Sequence, residues 1–319
     1  GVDLSQAHMT AIHQVHISQQ GAFGRTLLSE ADLKLPFMGQ VVDYARLMQA
    51  CLHALDTQQV ASHWGEAVEH VSTLSNMAQV TLANGTQITC DWLILAEGGQ
   101  LTAQLPELAP QQYDYQQRAY ITIAHFDRPQ DGVAYERFAH DGPFALLPYG
   151  DNYRLIWTRS PAEAERLASL PFAEFQAIFH AAFGKRAGEL VAVDPAIQFP
   201  LVLKQLQKVT TGRVICIGNA AQTMHPVAAQ GLNLGVRDAQ ALALAFTHST
   251  QVKNGSLGSH YARARRLDAK SIVAFTHSLV TVFDQPSAAL QAGRGMVMSA
   301  LNTSLPLRQK FSEHLIFGL

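Results

Sequence analysis

The chain has 319 residues, of which 48% are hydrophobic and 15% charged, and a formal net charge of −2. That length allows two domains with a substantial core, and the charge balance gives no reason to expect nucleic acid as a partner. No apolar run reaches the roughly 18 residues of a membrane span, and the opening GVDLSQAHMTAIHQVHIS has neither a basic nor an apolar signal region.

Residues 11–17 and 23–28 read as strands around a turn at 19–21. His13 and His16 would then lie on opposite faces of one strand, so no metal site is expected. Within residues 39–55 a helix is predicted to start near Asp43 as N-cap, with Leu47, Met48, Cys51, Leu52 and Leu55 at helical spacing. Residues 66–95 read as a β-meander with strands at 67–74, 78–82 and 87–95 and a hairpin signal at Asn84-Gly85. After Pro106 and Pro110 the texture changes, which suggests a domain boundary near 105–112. Alternating strands follow at 118–126, 133–139, 144–148 and 153–159. A helix at 171–183 carries Phe172, Phe175, Phe179 and Phe183, which read as core, and a strand follows at 196–203. The three cysteines, Cys51, Cys90 and Cys216, are odd in number and far apart, as reduced core thiols of a cytosolic protein would be.

The stretch RVICIGNAAQTMHPVAAQGLNLGVRDAQALA, residues 213–243, organises the rest. A buried strand at 214–217 stops at Gly218 and a loop of small residues follows. A helix then begins near Gly231, with Leu232, Val236, Ala239, Leu242, Ala243 and Phe246 expected on its apolar face. The free N–H groups at such a helix start suit an electron-rich ligand, and Gly231 would let a flat ring approach the backbone. Helices are predicted at 256–284 and 286–304. The first carries Arg263, Arg265, Arg266 and Lys270, then a stripe through Ile272, Phe275, Leu279, Val282 and Phe283. It reads either as a packed helix with a solvated basic start or as a face for anionic lipid or a partner protein.

The residues Gly218, Asn219, Ala220, Ala221, Gln222, Pro226, Gly231, Asn233, Gly235 and Asp238 resemble the second FAD motif of the flavoprotein aromatic hydroxylases, G-D-A-A-H-…-P-…-G-x-N-x-G-x-x-D. The opening GNAAQT looks most like the 2-polyprenyl-6-methoxyphenol hydroxylases of ubiquinone biosynthesis. Asp91, Leu93, Ile94, Ala96 and Gly98 resemble a further family motif, D-x-L-I-x-A-D-G-x-x-S, with Glu97 in place of its aspartate and Leu101 in place of its serine. The first fingerprint of that family, strand then G-x-G-x-x-G, has no counterpart before Gly21. Gly293-Arg294-Gly295 follows no strand and is rejected as a substitute.

The resemblance implies an α/β (α+β) fold of the p-hydroxybenzoate-hydroxylase kind: an incomplete Rossmann-like FAD-binding domain plus an antiparallel-sheet substrate domain. The expected divisions are 1–105 for a partial FAD domain lacking its first βαβ unit, 106–210 for the substrate domain, and 211–319 for the return to the FAD domain and C-terminal helices. It implies FAD as cofactor, NAD(P)H as electron donor, and hydroxylation of a polyprenyl phenol by O2. Cofactor contacts carry over to Gln40, Glu97, Gly98, Gly218, Asn219, Pro226, Gly231, Leu232 and Asn233. Pro226 and His225 are the candidate catalytic residues, the latter for a phenol proton or else structural, and Trp157, Phe199 and Pro200 are candidates for the substrate pocket. Expected partners are the phenol, a peripheral inner-membrane surface or a ubiquinone-biosynthesis complex, with a cytoplasmic location. Motif order implies a truncated or cleaved chain or a shortened relative, with weak or no FAD retention. The rival expectation is a non-catalytic lipid-phenol-binding or scaffold subunit that has lost FAD.

Overall fold

A computed structural model describes the chain apart from residues 1, 5–8, 59, 130, 140, 141, 249, 251–254, 284, 286 and 319, and for Thr57 it describes the backbone alone. In chain order the first elements are β1 (Met9–Ile12), β2 (Gln14–Gln19), β3 (Arg25–Ser29), α1 (Glu30–Leu33), β4 (Gly39–Val42), α2 (Tyr44–Thr57), β5 (Val68–Thr73), β6 (Ala78–Leu82), β7 (Gln87–Cys90) and β8 (Leu93–Leu95). The middle of the chain forms β9 (Pro110–Phe126), β10 (Val133–Ala139), β11 (Gly142–Tyr149), β12 (Asn152–Arg159), α3 (Pro161–Ser169), α4 (Phe172–Phe183), β13 (Leu190–Val193) and β14 (Ile197–Leu206). The rest is β15 (Thr210–Thr211), β16 (Val214–Cys216), β17 (Gln222–Thr223), α5 (Gln230–Phe246), α6 (Leu257–Phe283), α7 (Ala288–Thr303) and α8 (Leu305–Phe317). This mixture bears out the α/β class. The helix end expected at 284 and the start expected at 286 lie outside the described residues.

Two compact units interleave along the chain: Gly1–Ala61 with Gln116–Pro200 and Leu279–Gly318, and Ser62–Tyr115 with Leu201–Ser278. In the first unit a sheet runs β9-β12-β11-β10-β2-β3, with β13 also on β9. All neighbours are antiparallel except β10 and β2. Its inward positions and the buried face of α4 meet in an aromatic cluster of Tyr120, Phe126, Tyr135, Phe144, Trp157, Phe175, Phe179 and Phe183. The phenylalanines of α4 are therefore core, as their spacing suggested, although Phe172 stays 38% exposed.

Several expectations are corrected in this unit. The strand read at 11–17 is two strands broken at His13, because His13 and Gln14 both give their N–H to the Gly132 carbonyl; β1 then pairs with β4, and β2 with β3 and β10. The strand read at 118–126 begins at Pro110. Its first five residues are exposed, so neither face is buried there and no period-2 pattern marks it. Helix α2 starts where Asp43 caps it, the carboxylate accepting from Arg46 N at 3.0 Å, but Met48 and Leu52 on its apolar stripe are 45% and 36% exposed. Cys51 on that helix is likewise exposed and is no core thiol.

In the second unit β5-β6-β7 form the expected hairpin meander, with Gly85 in a left-handed turn at φ 83°. The strand read at 87–95 breaks at Asp91, just after β7 ends at Cys90, and β8 joins a different sheet, β15-β16-β8. There it lies parallel to β16, Leu93 opposite Val214 and Leu95 opposite Cys216. Helix α5 packs Leu242 and Ala245 with Leu257 and Tyr261 of α6 against Ile215, while Leu234 meets Ile272 and Val273. Among the described residues no helix is long and apolar enough to cross a membrane, and no cluster of His, Cys, Asp and Glu could hold a metal ion.

Candidate functional site: a glycine-lined cradle in the second unit

Strands β8 and β16 end side by side, with Ile217 N donating to the Leu95 carbonyl at 2.9 Å. Ligands in α/β folds bind outside the carboxyl ends of such parallel strands, and each of these strands leads into one loop of the candidate site. Beyond β8 comes Glu97-Gly98-Gly99. Gly99 has φ 87°, and a Cβ added there would sit 3.4 Å from the Asn219 carbonyl, so the two loops touch through bare backbone. Beyond β16 comes a 3-10 turn, Gly218–Ala220, whose Gly218 packs on Gly235 of α5; a Cβ on Gly235 would lie 3.6 Å from the Gly218 Cα. A Cβ at Gly235 would thus be in ordinary van der Waals contact, whereas Gly218, at φ 57°, and Gly99 adopt the left-handed backbone that favours glycine.

Glu97 holds the Gln100 N–H with Oε2 at 2.8 Å, while its Oε1 is buried without a partner among the described residues. A buried carboxylate oxygen left unpaired is costly unless a donor arrives, and a ligand hydroxyl would be one. Burial, and then the charge of Glu97, pushes the neighbouring Cys216 thiol up to about 12, so it stays protonated and unreactive. Asn219 is exposed, its carbonyl accepting from Thr223 Oγ1 at 3.4 Å.

Between the turn and α5 the backbone is strained. The Pro226 carbonyl accepts from Ala229 N at 3.0 Å, and Ala228 and Ala229 take left-handed φ values of 62° and 50°. Such conformations cost alanine on the order of 1 kcal/mol or more each. Helix α5 then begins with no side-chain cap. Gly231, Leu232 and Asn233 are exposed, and a Cβ on Gly231 would meet nothing within 4 Å. The helix therefore presents uncapped amides and its positive end to open space.

The apolar face expected of α5 is corrected. Leu232 and Val236 are each 58% exposed, and the buried stripe is Gln230, Leu234, Asp238, Leu242 and Ala245. The pattern misled because a carboxylate occupies the centre of the buried stripe. Asp238, 1% exposed, accepts from Gly218 N at 2.9 Å, Gln222 Nε2 at 2.8 Å and Arg265 Nε at 2.7 Å. Arg265 also binds Asp268 at 2.6 Å, and Asp268 in turn binds Arg237 at 2.9 Å. Arg265 is thus an internal residue and not part of a solvated basic start; Arg263, Arg266 and Lys270 do stay exposed. Asp238 belongs to the sequence motif, but nothing in the spacing of α6 marked Arg265 as its partner.

His225 is 1% exposed. Its Nδ1 accepts from Val227 N at 3.2 Å, which puts the ring proton on Nε2, a buried atom without a partner among the described residues. Burial lowers its pKa to about 4, so the ring is neutral at pH 7 and serves as an N–H donor, a poor acceptor for a phenol proton. Tyr115 stacks edge-on against it, ring centroids 5.2 Å apart, and its hydroxyl lies 2.9 Å from His277 Nδ1. Sequence reasoning missed Tyr115 and His277, which lie far from the motif in the chain.

The other candidates fall in the first unit. Gln40 is exposed on β4, paired with Ala11 of β1. Phe199 is 51% exposed and Pro200 is exposed beside it on β14. Trp157 is fully buried between Phe144, Phe175 and Phe179 with the Arg159 guanidinium 4.4 Å over its ring, which makes it a core residue and corrects its expected place on a pocket wall.

In the second unit the open helix start, the glycine-lined turns and the unpaired Glu97 oxygen fit the ring and hydroxylated chain of a flavin. Comparison with known proteins agrees. The chain is 30% identical over 286 residues to the ubiquinone hydroxylase UbiL of Rhodospirillum rubrum, covering 87% of this chain and 66% of that protein. It is 31% identical over 216 residues to the 3-demethoxyubiquinol 3-hydroxylase of Escherichia coli, covering 66% of this chain and 55% of that protein. Among solved structures, Klebsiella pneumoniae HpxO complexed with FAD and uric acid superposes with a TM-score of 0.72 at 15% identity, over 97% of this chain and 81% of that one, a likeness of fold. The family model described as FAD binding domain matches residues 38–276. By that match, which spans both loops of the cradle, the chain belongs to the FAD binding domain family.

Proposed function

We propose that this protein is an FAD-dependent monooxygenase that hydroxylates a polyprenyl phenol in ubiquinone biosynthesis, with NAD(P)H as electron donor. The observation that carries the reading is the uncapped, open start of α5 over Gly231. The names of the relatives, ubiquinone hydroxylase and 3-demethoxyubiquinol 3-hydroxylase, support the substrate class.

When bound, FAD supplies the redox chemistry that couples the donor and O2 to ring hydroxylation. The amides of Gly231, Leu232 and Asn233 would hold the electron-rich edge of the ring and favour negative charge there through the helix dipole. Glu97 Oε1 would accept a hydroxyl of the ribityl chain, with Asn219 and the backbone of Gly98 and Gly218 alongside. Pro226 would shape the loop beside the ring, and His225 would offer its Nε2–H to an oxygen of substrate or flavin. Gln40 is proposed as a further cofactor contact, and Phe199 and Pro200 as a wall of the phenol site. Arg263, Arg266, Lys270 and the 74% exposed Leu267 on α6 support a peripheral location on the inner membrane, where a polyprenylated substrate resides.

Titration of the purified protein with FAD, followed by flavin fluorescence, tests the reading. Gly231→Val places its side chain in open space, so melting temperature should hold while FAD affinity falls by roughly tenfold or more, as loss of the charge-oriented amide contacts entails. A parent protein that never binds FAD, and that FAD fails to stabilise, would favour the scaffold reading instead. Equal affinity of parent and variant would remove α5 from the site.

A further inference from the structure

We propose that the first unit carries a second binding site, for a phosphate ester bearing a free hydroxyl, in the cavity where Arg25, Arg137 and Arg186 converge. This cavity of about 740 Å³ is lined also by Ser18, Gln19 and Asn302, and no carboxylate is among its lining residues. Arg25 comes from β3, Arg137 from β10 and Arg186 from the segment after α4.

Three guanidinium groups on one wall set are mutually repulsive, and the field they make is felt by their neighbours. The His16 pKa is lowered by burial and by the charges of Arg186, Arg25 and Arg137, and that of Arg137 by burial and Arg186. Arg137 gives its Nε–H to the Ala182 carbonyl at 2.8 Å and an Nη1–H to Ser18 Oγ at 3.3 Å, so part of its five-donor fork remains for another acceptor. Clustered guanidinium groups match an oxyanion of more than one charge, bound by bidentate contacts, better than they match a lone carboxylate.

A second and independent observation concerns Gln19, which is 5% exposed. Its Nε2 donates to two carbonyls, Phe23 O at 2.6 Å and Gln291 O at 3.2 Å, which fixes the orientation of the amide. Its Oε1 is then a buried acceptor without a partner among the described residues. An anion cannot satisfy an acceptor, but the hydroxyl of a protonated phosphate, a sugar or a glycerol can. The walls are firm. A Cβ on Gly24 would lie 2.5 Å from Gly295 Cα, so loop and α7 meet backbone to backbone. Thr26 Oγ1 donates to Met298 O at 2.7 Å, and Asn302 Oδ1 accepts from Leu27 N at 3.2 Å.

Soluble phosphate esters and lipid headgroups share this chemistry, and two probes separate them. The whole chain is titrated calorimetrically with glycerol 3-phosphate at low salt, and floated with vesicles of phosphatidylcholine alone or mixed with phosphatidylglycerol. Arg25 and Arg186 are both exposed, so the double variant Arg25→Gln/Arg186→Gln should keep the fold. It should weaken binding by roughly tenfold or more, because two charge-assisted contacts are lost. Lys204→Gln/Lys208→Gln, which removes two exposed charges outside the cavity, should leave binding unchanged. Binding of glycerol 3-phosphate assigns a soluble ester, and flotation that needs phosphatidylglycerol and is lost in the double variant assigns a headgroup. Failure of both probes, a double variant that binds like the parent, or an equal loss in the Lys204→Gln/Lys208→Gln control would overturn the proposal.

Discussion

Asp238→Asn tests whether the buried carboxylate on α5 holds the cradle together. The carboxylate is 2% exposed and its partner Arg265 10%. In the variant one oxygen can still serve Gly218 N and Gln222, which both bind Oδ2. The new amide, however, faces Arg265 Nε donor to donor, and Arg265 keeps only Asp268 as counter-charge. Removing one partner of a buried pair costs about 3–5 kcal/mol; the surviving Asp268 contact places this case at the low end, about 3 kcal/mol. Native-state hydrogen exchange resolves the two units, and about 3 kcal/mol corresponds to roughly two decades of protection. Peptides over 214–221 and 257–272 should lose that protection, and peptides over 144–157 in the first unit should not change. Replacing both partners, as Asp238→Leu/Arg265→Met, should recover much of the loss. Protection in Asp238→Asn within about threefold of the parent, under 1 kcal/mol by the same conversion, would refute the reasoning.

Three further outcomes are expected. His225 is held near pKa 4 by burial, so between pH 6.5 and 4 the unfolded chain binds a proton that the folded chain does not. Stability should therefore fall with pH across that window, by about 3 kcal/mol in all, and His225→Phe should flatten that part of the urea-midpoint profile. Gly295→Ala should lower the melting temperature even though alanine favours helix by about 1 kcal/mol, because its Cβ would lie 2.6 Å from the Phe23 carbonyl; an unchanged or raised melting temperature would show that loop and helix can part freely. Asn219→Asp adds a charged acceptor at the cradle and should tighten FAD, read by the same fluorescence titration; unchanged affinity would remove Asn219 from the ribityl contact.

What could be read from the sequence follows from where its signals are local. The turn at Asn84-Gly85, the Asp43 cap and the phenylalanines of α4 each declare themselves within a few residues, and each is found where expected. The open start of α5 was legible for the same reason, since Gly231 sits inside a motif with fixed spacing. Partner choice was not legible. Strand β8 reads as the continuation of a meander until its pairing with β16, over 100 positions away in the chain, pulls it into another sheet. The buried face of α5 is centred on Asp238, which a hydrophobicity pattern assigns to solvent, and only Arg265 makes that burial tolerable. Trp157 could have been core or pocket by its residue type alone, and the packing of α4 decided it.

The edge strand β3 and helix α1 are tied to the helices α7 and α8: Thr26 to Met298, and Asp32 to Arg308 at 2.6 Å, partners separated by 272 and 276 positions. During synthesis β3 must therefore wait, edge uncovered, until α7 and α8 have left the ribosome. Contacts of such sequence separation close slowly, which makes this sheet edge the place where a nascent chain would need shielding from its neighbours.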